Sequence, residues 1–292
     1  IVLLTLSLFV ENFLTTRNTI NVLMQSAALG LMAIGMSVVL IGGGIDLSIP
    51  SVMAFSAIVG AIFMRDVGSP VIGAALMVVV GTLAGCINGY AVAYLKMIPF
   101  VVTLAMMTIM TGASIWITNS VSVPIYSFDF IDAVLYRVGN VPAPVIFVAI
   151  ITVIVFFISS RSLFGRWLYA VGTNAEAARV AGIPTRGVLF GTYIVSGFFA
   201  GLAAIVVAAR LGAASASIGP DQLVLDIVSA AVVGGVSIYG GVGSPLGAVV
   251  GAVIITLISN SMNMMQVPYT ATLIIKGIVI IAFVALDGLR RR

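Results

Sequence analysis

The chain has 292 residues, of which 61% are hydrophobic and 8% charged, against roughly 25% charged in a soluble domain. This composition excludes a soluble globular fold and indicates an all-α polytopic membrane protein, one transmembrane domain over residues 1–292. The net charge of +4 comes from dispersed basic residues that give no grip on nucleic acid, and the single cysteine, Cys86, excludes a disulfide framework.

The first apolar stretch runs from Ile1 to about Leu14. At about 1.5 Å per residue it falls short of the ~30 Å hydrocarbon core, so residues upstream of Ile1 are expected to complete it. Apolar blocks follow at 20–41, 47–64, 70–94, 98–118, 144–160, 188–209, 222–240, 244–262 and 268–287. With the first, they predict about ten transmembrane helices. If both termini are cytoplasmic, that side carries Lys96, Arg161, Arg166, Arg179, Arg186 and Arg290, Arg291, Arg292, while the other carries Arg17, Arg65, Arg137 and Arg210. Lys276 lies inside the last block. The positive-inside rule favours this orientation. The segment from about Asn119 to Pro144, with Asp129, Asp132 and Arg137, is then external and serves either a delivery protein or plain connection.

Residues 161–187 form the longest run without a membrane-length apolar block, and the orientation places them in the cytoplasm. Within them, Thr173-Asn174-Ala175-Glu176 reads as a capping box, the Thr173 hydroxyl and Glu176 carboxylate satisfying free amides at a helix start. Gly182 and Pro184 end that helix after about two turns. A helix so short is marginal alone in water and requires docking, on a partner or on the lipid surface.

The two halves repeat a sequence of features. Gly68-Ser69-Pro70 and Gly243-Ser244-Pro245 each open a block, and Pro99-Phe100-Val101-Val102-Thr103-Leu104 matches Pro268-Tyr269-Thr270-Ala271-Thr272-Leu273 as Pro-aromatic-x-x-Thr-Leu. Between them lie Gly81, Gly85, Gly89 and Gly243, Gly247, Gly251, a spacing that lets helix backbones approach. Spans 2–5 (residues 20–118) therefore correspond to spans 7–10 (residues 188–287). The odd offset makes this an inverted-topology repeat, the arrangement that suits alternating access.

Catalysis finds no support. Without histidine there is no His-based zinc site or His-containing triad, and no Gly-x-x-x-x-Gly-Lys-Ser/Thr loop is present to cradle ATP phosphates. Two acids at membrane depth stand out, since a carboxylate there is costly unless paired or hydrated. Asp46, before Leu47-Ser48, is placed to cap the next helix, with Ser48 part of the same structural polar group. Asp226 lies one turn into its span without a visible relay partner. Asn88, Phe100, Asp226, Asn260, Asn263 and Tyr269 are the candidates for a solute path, interhelical hydrogen bonding being the alternative for the asparagines. No metal site is expected.

Three motifs carry a family resemblance. Gly43-Gly44-Ile45-Asp46-Leu47-Ser48 resembles the Gly-Ile-Asp-Leu-Ser signature of the ribose-type, simple-sugar ABC transporter permeases. Gly165-Arg166-x-x-Tyr169-Ala170-x-Gly172-x-Asn174-x-x-Ala177 with Ala181-Gly182-Ile183 is similar to their cytoplasmic loop. Leu225-Asp226-x-x-x-Ala230-x-Val232-x-Gly234-Gly235 and Gly240-Gly241-x-Gly243 resemble their second-half signature. Ile49-Pro50 departs from the usual Val-Gly, a change tolerated early in a helix.

The resemblance implies a type II-like ABC importer permease in a bacterial inner membrane, importing a monosaccharide such as a ribose- or galactose-like sugar by alternating access. It implies a second permease subunit, identical or different, and a cytoplasmic ABC ATPase that alone carries ATP and Mg. A periplasmic or extracellular sugar-binding protein would deliver solute. Membrane lipid is the surrounding partner, and neither a cofactor of its own nor nucleic acid is implied. The helix around Asn174 to Ala181 becomes the coupling helix, with Thr173, Asn174, Glu176, Ala177, Arg179 and Gly182 facing the ATPase. Nucleosides or branched-chain amino acids as solute, and a stand-alone secondary carrier, stay open as alternatives.

Overall fold

The computed structural model describes residues 13–217 and 220–290; the first expected span, up to residue 12, lies outside them. Every apolar block expected from residue 20 onward contains a helix. These are α1 (Thr16–Ile41), α2 (Ile49–Val67), α3 (Pro70–Ala93), α4 (Pro99–Thr118), α6 (Ala143–Arg161), α9 (Thr185–Leu211), α10 (Pro220–Val233), α11 (Pro245–Met264) and α12 (Tyr269–Arg290), with the short α5 (Phe128–Val134) and the pair α7 (Leu163–Thr173) and α8 (Ala175–Val180) between them. Among the described residues, seven are long and apolar enough to cross a membrane: α1 to α4, α6, α9 and α11. The chain is a multi-pass, all-α membrane protein.

α1 is the axis of the bundle. From Ser26 to Ile41 every residue is buried, as expected of a helix that is apolar all round. α9 and α11 pack on it, and α3 packs on α9. α2 lies against α3 and α9, and α10 against α11 and α1. Prolines 50, 70, 99, 144 and 245 sit in the first turns of their helices, where a missing amide costs nothing.

The glycine series does the packing expected of it. Gly81, Gly85 and Gly89 lay one face of α3 on α9, and a Cβ at Gly81 would come within 2.8 Å of the Gly201 nitrogen. Gly247 and Gly251 bring α11 onto Ala230 of α10 and Gly234 just past its end, and Gly60 and Gly73 meet between α2 and α3. With no hydrophobic drive between helices in lipid, such backbone contact supplies the cohesion.

One boundary differs from the sequence expectation. The block 222–240 is not a continuous helix: α10 stops at Val233, and residues 234–244 form a loop with Gly235, Gly240, Gly241 and Gly243 at positive φ. Hydropathy carries on through this loop in the buried Val236 and the exposed Ile238, Tyr239 and Val242. At about 1.5 Å per residue, the 14 residues of α10 rise about 21 Å, less than a hydrocarbon core.

At the end of the bundle where α9 finishes, β1 (Val123–Pro124) pairs antiparallel with β4 (Ala213–Ala214). β2 (Arg137–Val138) and β3 (Val141–Pro142) form a small hairpin. The segment after α4 is thereby tied to the end of α9.

Candidate functional site

At the opposite end, residues 161–187 build two helices where one was expected. The Ser162 hydroxyl accepts from Gly165 N at 3.1 Å to start α7, whose Leu168 and Val171 are buried. The N-cap of α8 is Asn174, not Thr173: its side chain accepts from Ala177 N at 2.9 Å. Asn174 has the extended backbone a cap requires, whereas Thr173 closes the last turn of α7 and donates its hydroxyl to Tyr169 O at 2.8 Å. Glu176 pairs with Arg179 at 2.6 Å rather than with the backbone. Only Ala178 of α8 is buried; Glu176, Ala177 and Arg179 are exposed, and Val180 is 85% exposed. Gly182, at φ +81°, turns the chain back toward α9 in a conformation that favours glycine.

α7 is fastened to both halves of the bundle. A Cβ at Gly172 would run into the Ile41 carbonyl at the end of α1 and come within 2.6 Å of Gly241 N in the α10–α11 loop. Gly241 N itself donates to Ile41 O at 2.9 Å. The Tyr169 hydroxyl donates to Gly243 O at 2.7 Å.

Asp46 lies just inside this junction, 2% exposed. One carboxylate oxygen accepts from Ser48 N at 3.0 Å and Ser48 Oγ at 2.6 Å, and the other from Ser196 Oγ at 2.7 Å. Ser48 Oγ in turn accepts from Asn88 Nδ2 at 2.9 Å. Asp46 does not cap α2 as expected: the N-cap is Ser48, without a side-chain cap bond, and Asp46 instead accepts from Ser48 ahead of the helix and ties that turn to α3 and α9, its carboxylate met by three donors in place of a cation. Asn88 Oδ1 has no donor among the described residues.

The other polar residues fall in separate places. Asn260 exchanges two hydrogen bonds with Asn18, at 2.9 and 3.1 Å, while Asn18 also donates to Phe13 O at 2.8 Å. Phe100 is half exposed and Asn263 is exposed; the Tyr269 side chain lies outside the described residues. The structure does not gather these candidates into one site. It does supply the partner that Asp226 lacked in the sequence: Lys276 Nζ donates to both carboxylate oxygens, at 2.7 and 2.9 Å. Both side chains are largely buried. A base inside one apolar block and an acid inside another is a signal readable in the sequence, since charges at membrane depth occur in pairs.

The Asn18–Asn260 pair carries its own expectation. Asn18→Leu alone leaves the Asn260 amide unpaired and is expected to cost about 1–3 kcal/mol, whereas Asn18→Leu with Asn260→Leu is near neutral. Thermal melting of the purified protein checks this; a single variant as stable as the double would refute it.

The family model described as "Branched-chain amino acid transport system / permease component" matches residues 18–284. The D-allose transport system permease of Escherichia coli (strain K12) is 38% identical over 97% of this chain and 87% of its own length. The L-arabinose ABC transporter permease of Azospirillum brasilense is 34% identical over 98% and 84%, and the ribose import permease of Escherichia coli (strain K12) 31% over 95% and 87%. The chain belongs to the family of simple-sugar ABC transporter permeases. No solved structure matches it. In this permease the three motifs that resemble the family's meet at one junction, with Gly43, Gly172 and Gly240 in backbone contact.

Proposed function

We propose that this permease is the membrane subunit of an ATP-driven importer for a monosaccharide, placed in a bacterial inner membrane with both termini cytoplasmic. The observation that carries the reading is the α7–α8 unit. α8 is capped by its own Asn174 and turns Glu176, Ala177, Arg179 and Val180 outward, while α7 is fixed to the ends of both halves through Gly172 and Tyr169. A partner that moves this unit moves both halves. A cytoplasmic ABC ATPase, carrying ATP and Mg, is that partner. Thr173, Asn174, Glu176, Ala177, Arg179 and Gly182 are the contact residues proposed for it. A second permease, identical or different, and a sugar-binding protein on the other side complete the importer.

About ten spans with an inverted repeat, residues 20–118 against 188–287, fit the helix contacts. Exchanging α1 with α9, α2 with α10 and α3 with α11 converts the α3–α9 pair into α11–α1, α2–α3 into α10–α11 and α2–α9 into α10–α1, all of which are in contact. Rocking of these halves about α1 and α9 gives alternating access. Asp226 is the path residue we favour, while Asn88, Phe100, Asn260, Asn263 and Tyr269 are proposed more broadly as lining or supporting the route.

ATP-dependent uptake into vesicles holding the permease, its ATPase and its binding protein is the test. Uptake is expected to require ATP and to fall several-fold in Glu176→Ala or Arg179→Ala, each a fold-neutral surface change. Uptake that follows an ion gradient without the ATPase would refute the importer and favour a secondary carrier. The family description favours branched-chain amino acids as a second reading; competition by leucine but not by sugars would select it.

A further inference from the structure

α6 packs on α1 and α11 and leaves a groove of about 340 Å3 between itself and α9. Ile151, Ile154 and Ile158 line it from α6, Val195 and Phe198 from α9, and the buried Val38 of α1 lies beneath. Ile154 and Ile158 are 48% and 46% exposed, so the groove is open along its length to the surroundings of the bundle. Phe164 of α7, beside Gly191 of α9, closes the end nearest the α7–α8 unit. The polar side chains on the wall are Ser159 and Thr82, whose hydroxyl is returned to Val78 O at 2.7 Å. A hydrated solute would find nothing on such a wall to replace its water.

The groove has the length of one leaflet. From Ile151, at the middle of α6, to Ser159, in its last turn, the wall rises about 12 Å, most of half a ~30 Å hydrocarbon core. Cations stand at its mouth. Ile151, Ile154, Ile158 and Arg161 follow i, i+3, i+7 and i+10, so Arg161 continues the face of α6 that lines the groove. Gly165 lies against the Ser159 carbonyl, so α7 begins folded onto the end of α6 and sets Arg166, in its first turn, at the same mouth. Both arginines are exposed and neither bonds to a described residue, whereas Arg65, Arg179 and Lys276 each hold an acid. Basic groups at the membrane surface over a gap between helices suit an anionic lipid headgroup.

We infer that this groove seats one acyl chain of an anionic glycerophospholipid from the leaflet on the α7–α8 side, with its phosphate held by Arg161 and Arg166. The chain covers the apolar wall that α6 and α9 leave open, and the headgroup joins the end of α6 to the start of α7. A bound lipid therefore braces α6 against α9 where the two helices stand apart. A helix from a second copy would cover the same wall but does not call for two cations at its end.

Native mass spectrometry of the purified full-length permease is the test, after equilibration with equal amounts of phosphatidylglycerol and phosphatidylcholine of the same acyl chains. No ATPase, ATP or solute enters the measurement, so its result stands apart from the importer reading. At about 5-fold in affinity for each arginine near an anionic lipid, the unaltered permease is expected to retain one phosphatidylglycerol about 25-fold over phosphatidylcholine. Arg161→Gln with Arg166→Gln, both exposed and without partners, is expected to melt like the parent and to bring the two lipids to near parity. Val195→Trp fills the groove and is expected to release the lipid and to stop labelling of α6 and α9 by a phosphatidylglycerol with a photoreactive acyl chain. Equal retention of the two lipids by the unaltered permease, selectivity that survives the loss of both arginines, or a Val195→Trp variant that breaks up a dimer instead of releasing lipid would each overturn the inference. If Val195→Trp does not fold, the arginine double variant still decides.

Discussion

Gly172→Ala is expected to disrupt the junction of α7 with the bundle and to abolish ATP-driven uptake. The added Cβ meets the Ile41 carbonyl and the Gly241 nitrogen, both backbone, so no side chain can rotate away. α7 must lift, and lifting it stretches the Tyr169 hydroxyl off Gly243 O and strains the Gly241 N to Ile41 O bond. Overpacking of this kind costs about 1–3 kcal/mol, and each lost hydrogen bond about 1 kcal/mol more. Gly187→Ala is the control. It lies in the first turns of α9 with no atom within 4 Å of the added Cβ, and a helical Gly→Ala change in open space stabilises by about 0.5–1 kcal/mol. Melting of the purified variants, followed by uptake, separates the two; equal melting temperatures would show that α7 is not held at Gly172.

The spans were legible because their blocks are long and their starts are marked, as by Gly68-Ser69-Pro70 and Gly243-Ser244-Pro245. The packing role of Gly81, Gly85 and Gly89 was legible for the same reason, since helical period turns spacing directly into a face. What was not legible depended on contacts between distant residues. Asn18 and Asn260 are 242 positions apart, and no local pattern pairs them; Lys276 and Asp226, 50 apart, were marked only as charges inside apolar blocks, a signal for a pair that does not say which residue meets which. Thr173 and Asn174 are both good caps by composition, and only the extended backbone at Asn174 selects it. The loop after α10 hid inside an apolar block because its side chains are apolar both where they are buried, as at Val236, and where they are exposed, as at Ile238, Tyr239 and Val242.

Breaking the Asp226–Lys276 pair is the second large effect. Asp226→Ala leaves the Lys276 ammonium largely buried with its principal acceptor gone, and Lys276→Ala leaves the carboxylate in the same state. Removing one member of a buried pair costs about 3–5 kcal/mol, whereas exchanging both for apolar side chains of similar volume is near neutral or stabilising. Each single variant is therefore expected to melt well below the parent, and Asp226→Leu with Lys276→Met to recover most of the loss. A double variant no more stable than either single would contradict the pairing. The same double variant also divides structure from transport. If the ion pair serves only to hold α12 against α10, a folded double variant takes up solute normally. If Asp226 also accepts from the solute, the double variant folds and melts like the parent but loses uptake, because a leucine at that position offers a sugar no acceptor and charges the full desolvation cost of the hydroxyl facing it.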